Sequence, residues 1–245
     1  MTLLLQRLKK RVLYSNSNRG LTSDSGCASI RAVRKTSEGV KPMPRAENVV
    51  KGSYRNIVDA YHSASPASHA EGTRWYTDAH GIAKQVSGML DSDDIRVGAG
   101  IIAALSPQME WGDNVTEAIQ LCSTGKSPRQ TKANEDKAIL IGSNQDPEEV
   151  LGGEKVTAFY HAMVSPTGQG KPVIDRHAIA IYYGKPVTER QLNSVFGRKK
   201  VMQRIQSAYI RAGKVIGEHH NVVQATTWVQ HRKNKGIVKE TAWSG

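Results

Sequence analysis

From Tyr54 onward apolar residues return at intervals of three and four, the spacing of one face of an α-helix, and nowhere do they alternate as a half-buried strand requires. Ile57, Val58 and Tyr61 form one such series; Trp75, Ala79, Ile82, Ala83 and Val86 form a second; Val97, Ile101, Ala104 and Leu105 form a third. Further helices are predicted over 115–121, 136–141, 156–164, 179–183, 201–216 and 222–231, separated by Pro, Gly and Asn breaks of ordinary loop length. The pair Val173-Ile174 after Pro172 is compatible with extended backbone but too short to define a strand. The predicted class is all-α, with no internal repeat.

A chain of 245 residues, 38% of them hydrophobic, can bury a core in one domain or in two small lobes. No apolar run approaches the eighteen or so residues that a membrane span needs, so no membrane partner is expected. The opening Met1-Thr-Leu-Leu-Leu-Gln-Arg-Leu-Lys-Lys-Arg places its basic residues after the apolar ones, the reverse of a secretory signal, and a cytoplasmic location is expected. Cys27 in a polar stretch and Cys122 in a helical pattern suggest two free thiols. His219-His220 has no partner ligands at metal spacing, so the sequence predicts neither a metal site nor a cofactor.

The net charge of +12 is unevenly spread: residues 1–52 carry +8, residues 53–197 carry −4 and residues 198–245 carry +8. Residues 1–50 are rich in Ser, Asn, Gly and basic side chains without sustained periodicity and are expected to be a disordered basic arm, with Met43 an alternative start. The folded helical domain is expected over 51–236 and a flexible tail over 237–245. Any phosphate-binding surface must come from the C-terminal third, the arm, or backbone amides.

Three segments combine residues suited to chemistry: Gly100-Ile-Ile-Ala-Ala-Leu-Ser-Pro-Gln108 with Trp111 and Asn114, then Leu151-Gly-Gly-Glu-Lys-Val-Thr-Ala-Phe-Tyr160, then Val173-Ile-Asp-Arg-His-Ala178. Asp175 precedes a helical run, so it is a favourable N-cap and equally a carboxylate that can stabilise a cationic transition state or activate water. Lys155 is either a nucleophilic amine, if desolvated, or an ordinary first-turn lysine. Gly152 and Gly153 form either a phosphate-binding turn or a plain connection between helices. Ser106-Pro107 ends a helix and presents Gln108; Trp111 is either a stacking ring or core. Arg176 and His177 either hold an anion or begin a helix at the surface. Gln224, Trp228 and Arg232 share one helical face, offering a nucleic-acid contact or a core Trp with polar flanks.

In order and spacing these segments resemble the helix-hairpin-helix (HhH-GPD) DNA glycosylases, such as endonuclease III. Those carry a helix ending in Leu-Ser-x-Gln, a Leu-Pro-Gly-x-Gly hairpin opening a Lys-Thr-Ala helix, then Val-Asp-x-His. The resemblance spans about residues 95–185. The same segments, with Val223-Gln-Ala-Thr-Thr-Trp228, also resemble proteins of actinobacterial phages, which would place the chain in the host cytoplasm. The glycosylase resemblance implies two helical lobes around a cleft, DNA as partner, and action on an N-glycosidic bond or a modified base. It implies Asp175 beside the reacting sugar and Lys155 at the Schiff-base position of bifunctional members. Gln108 would fill the gap left by an extruded nucleotide. Trp111, Gly152, Gly153, Arg176 and His177 would contact DNA, and Arg232, outside the matched segments, is a further candidate DNA contact from its helical face alone. Leu151-Gly152-Gly153-Glu154 departs from the family hairpin: it lacks the proline and the second spaced glycine and brings an acid to the phosphate position. A non-catalytic DNA-binding protein and a small-nucleotide hydrolase or transferase are the competing readings.

Overall fold

The computed structural model of the chain describes residues 52–237, and these are helical with no strand among them. The predicted basic arm over 1–50, Cys27, and the predicted tail beyond Ile237 lie outside the described residues. Eleven helices follow in order among them: α1 (Tyr54–His62), α2 (Pro66–Gly88), α3 (Ile95–Leu105), α4 (Trp111–Thr124), α5 (Lys132–Gly142), the single turn α6 (Pro147–Val150), α7 (Glu154–Val164), α8 (Arg176–Tyr183), α9 (Glu189–Phe196), α10 (Lys199–Ile216) and α11 (His220–Asn234).

Local chemistry starts most of them. Ser53, Ser65, Asp94, Thr131, Asp146, Asp175 and Thr188 each accept a hydrogen bond from a first-turn N–H, as N-cap side chains do. α9 was not anticipated from periodicity because only Leu192 and Val195 of its eight residues are buried. Its signal was the reciprocal Thr188–Gln191 capping box instead.

The buried apolar residues gather in two large clusters and a small third one. The first takes α3 with the second half of α2 and parts of α4, α5 and α7. α3 is its axis: every residue from Val97 to Leu105 is buried, as expected of a helix apolar on all sides. Gly98 lets α2 and α3 touch, since a Cβ there would lie 1.9 Å from the Ala83 carbonyl oxygen. The second cluster joins α1 to α8, α9, α10 and α11, so the first helix packs with the last four. Ser53 N–H and the Asn56 amide both donate to the Tyr182 carbonyl, at 3.0 and 2.9 Å, which ties this return of the chain.

α2 runs from α11 to the first cluster. At 23 residues it is about 35 Å long; Gly72 lies against Thr226 of α11, while Ala79, Ala83 and Val86 belong to the first cluster. Its middle carries Trp75 and Tyr76, which with Ala158, Phe159, Ala162, Val173 and Ala225 make the third cluster. No described helix is long and apolar enough to cross a membrane.

Candidate functional site

Over the third cluster lies a cavity of about 570 Å³. Its wall brings together Gln108, Trp111, Lys155, Asp175, Arg176, His177 and Arg232, candidate site residues from separate parts of the sequence. They come from the α3–α4 turn and the starts of α4, α7 and α8, and from α11, up to 124 positions apart.

Asp175 is fixed at the head of α8. Buried Val173 and Ile174 anchor the preceding strand-like segment in two different clusters, which leaves the next side chain at the cavity wall. One carboxylate oxygen, Oδ1, accepts the Ala178 N–H at 2.8 Å and the other, Oδ2, accepts the indole N–H of Trp228 at 2.8 Å. The cap and the candidate catalytic position are thus the same carboxylate. Each oxygen retains lone-pair capacity, and the group is only half-buried.

Aromatic rings surround it. Trp228 lies 5.0 Å from Trp75, Trp75 lies 5.8 Å from Trp111, and Trp111 meets Phe159 edge-on at 6.0 Å, centroid to centroid. Three of the four tryptophans in the chain therefore line one cavity. Such walls can hold a flat heteroaromatic ring by stacking. Tyr76 donates to Gln224 Oε1 at 2.7 Å below them; burial foremost, and then the Asp175 charge, keep its hydroxyl protonated far above the ordinary tyrosine range.

Arg232 is engaged within the protein. It is 9% exposed, its guanidinium lies 4.4 Å over the Trp228 ring, and it donates to Glu110 Oε2 at 2.6 Å. A guanidinium so occupied braces α11 against the start of α4, and what it orients is Trp228. Lys155 lines the cavity yet is exposed, so it lacks the desolvation that a Schiff-base amine uses. Gln108 is exposed and held at φ 60°, a left-handed backbone uncommon outside glycine, asparagine and aspartate. The Gln130 side-chain amide fixes that turn by donating to the Leu105 and Pro107 carbonyls at 2.6 and 3.1 Å.

His177 contacts both Trp228 and His231, at ring-centroid distances of 6.4 and 5.5 Å. Burial lowers the basicity of His177, against the pull of Asp175. Burial likewise takes His231 down to about 4. Both shifts favour the neutral ring. Arg176 is exposed, 4.0 Å from the exposed Glu189.

Gly152 and Gly153 do not reach this cavity. They line a second one of about 920 Å³ with Lys171, Phe196 and Lys199. Gly153 adopts φ 84° at the N-cap of α7, a conformation that glycine tolerates and other residues rarely adopt. The acid of the hairpin, Glu154, is paired with Lys171 at 3.1 Å. Phe196, 45% exposed, belongs to both cavity walls. His219 and His220 contact the Gly168 and Gly170 carbonyls at 3.1 and 2.9 Å, and no cluster of three potential metal ligands occurs among the described residues.

The sequence reading missed Trp75, Phe159, Glu110 and Gln130 as site residues. The first two fit the helical apolar pattern and gave no separate signal. Glu110 and Gln130 act through partners 122 and about 25 positions away.

A family model described as a family of unknown function, DUF7178, matches residues 41–235. The chain belongs to the DUF7178 family. No curated protein and no solved structure matches it. The matched span takes in every residue of both cavities except Ile237, so the site just described lies within the DUF7178 region.

Proposed function

We propose that this DUF7178 chain is a DNA glycosylase-like enzyme of HhH-GPD architecture that accepts one extruded nucleotide in the Asp175 cavity and hydrolyses its N-glycosidic bond. The convergence of Gln108, Trp111 and Asp175 from three separate segments on one aromatic-walled cavity carries this reading. The two large apolar clusters, with α1 joined to the C-terminal helices, support a two-lobed arrangement with the cavity as its cleft.

In this reading the base lies against the wall formed by Trp75, Trp111 and Trp228 while the Asp175 carboxylate faces the sugar. The C1′–N bond breaks with its electron pair leaving on the base, and the anionic carboxylate stabilises the oxocarbenium-like sugar. Water adds to C1′; Asp175 takes its proton, and the departing base is protonated in turn. The products are the free base and an abasic site. The exposed Lys155 serves as a cation at the cavity mouth, so the reaction is hydrolysis and not lyase chemistry.

A second reading, DNA binding without catalysis, is favoured by α10. Lys200, Arg204, Arg211 and Lys214 recur at helical spacing and are all exposed, α10 contains no acidic residue, and no ion pair among the described residues uses these four. Such a stripe suits a polyanion.

Mass spectrometry of bases released from a panel of normal, damaged and phage-modified DNAs separates the two. Release by the wild type and not by Asp175→Asn is expected. No release from any substrate, with salt-dependent DNA binding that weakens in Lys200→Ala/Arg204→Ala, would replace the enzyme by the binding protein.

A further inference from the structure

Asn114 stands one turn after Trp111 on α4 and lines the Asp175 cavity while only 2% exposed. Its backbone N–H is used in the helix start, donating to the Glu110 carbonyl at 2.8 Å. Among the described residues its side chain has no hydrogen-bond partner, and Oδ1 is buried without a donor. Buried amides are almost always satisfied, and an unmet one destabilises the folded chain. The neighbouring polar groups in the wall are otherwise engaged: Gln224 accepts from Tyr76, both Asp175 oxygens accept bonds, and Arg232 holds Glu110. The remaining orphan, His177 Nδ1, belongs to the His177–His231 pair on the Trp228 side.

An amide offers a donor and an acceptor side by side, and turning it about Cβ–Cγ exchanges the two ends at little steric cost. The matching edge of a flat ring has an amino group next to a ring nitrogen, as adenine offers to asparagine. An exocyclic amino group projects beyond the ring, so it is the part of a stacked base best able to reach an acceptor set back in the wall. The cavity, at about 570 Å³, has room for a purine with its sugar.

We infer that Asn114 is the specificity-determining residue of the cavity, hydrogen-bonding the amino-bearing edge of a nucleobase of the adenine type held against the wall formed by Trp75, Trp111 and Trp228. The inference rests on the Asp175 cavity receiving a base. The unmet amide of the empty protein is then a stability sacrifice that the ligand relieves.

The test uses the full-length chain and duplex oligonucleotides carrying, at one mispaired position, adenine, purine (which lacks only the amino group) or an abasic spacer. Binding is read from quenching of the cavity tryptophans. The wild type is expected to favour adenine over purine by at least about fivefold, the low end for one amide–base pair. Asn114→Leu, with the same number of side-chain heavy atoms and the same branching, is expected to bind both equally while still preferring either base to the spacer. It should also unfold at a higher temperature than the wild type without DNA, which shows that lost discrimination is not lost folding. Equal binding of adenine and purine by the wild type, or an undiminished preference in Asn114→Leu, overturns the role of Asn114 and leaves the base cavity standing. Failure of the wild type to distinguish any base from the spacer overturns both.

Discussion

The bond from Trp228 to Asp175 can be isolated from the helix cap that Asp175 also provides. In Asp175→Asn one end of the amide can still cap α8, because asparagine is as good an N-cap as aspartate. The other end then presents N–H to the Trp228 N–H, so one hydrogen bond is lost whichever way the amide turns. A hydrogen bond to a charged group contributes roughly 1.5–3 kcal/mol; for the half-buried Asp175 the lower end applies, about 1.5 kcal/mol. Asp175→Ala loses the cap as well, typically a further ~1 kcal/mol, for a total of about 2.5 kcal/mol. Urea unfolding of wild type, Asp175→Asn, Trp228→Phe and the double variant completes a cycle in which contacts of Trp228 with Trp75 and Arg232 cancel. A coupling energy of about 1–1.5 kcal/mol is expected. Coupling below about 0.3 kcal/mol, within ordinary additivity, would refute the claim that this bond holds the carboxylate. Equal stability of Asp175→Asn and Asp175→Ala would refute the claim that it caps α8.

Gly98→Ala is expected to destabilise by about 3 kcal/mol or more, since its Cβ meets backbone atoms of α2, whereas Gly81→Ala, with open space around it, should be neutral or stabilising by up to ~1 kcal/mol in thermal unfolding. Acid should weaken the fold through His231. Its imidazole takes a proton near 6.5 when unfolded and near 4 when folded, so its stabilisation is complete above pH 6.5 and is lost as pH falls toward 4. The full shift bounds the effect at about 3 kcal/mol. Screening of a half-exposed ring reduces that to about 1–2 kcal/mol, and His231→Gln should flatten the fall in urea midpoint between pH 7 and 5. Burial pushes the Cys122 thiol up to about 12, so a Cys27→Ser chain should show no reaction with a thiol reagent at pH 8 until denaturant is added.

The helices were legible because their determinants are local. Apolar spacing of three and four marked most of them, and Asp175 before Arg176-His177-Ala178 gave the cap of α8, which the structure contains. The common face of Gln224, Trp228 and Arg232 also followed from helical geometry alone, and all three line the cavity. Trp111 was read as either stacking ring or core, and it is partly both, since it packs on the first cluster and faces the cavity. Chain order could not tell which of these side chains would meet. Trp75 and Trp228 stand 153 positions apart and touch because Gly72 lets α2 lie against α11. Gly152 and Gly153, three and two positions before Lys155, face a different cavity because α7 begins at Glu154 and turns successive residues to different sides. A helix is set by neighbours three and four residues away, but a cavity is the space left where distant helices fail to interdigitate, and only packing decides where that falls.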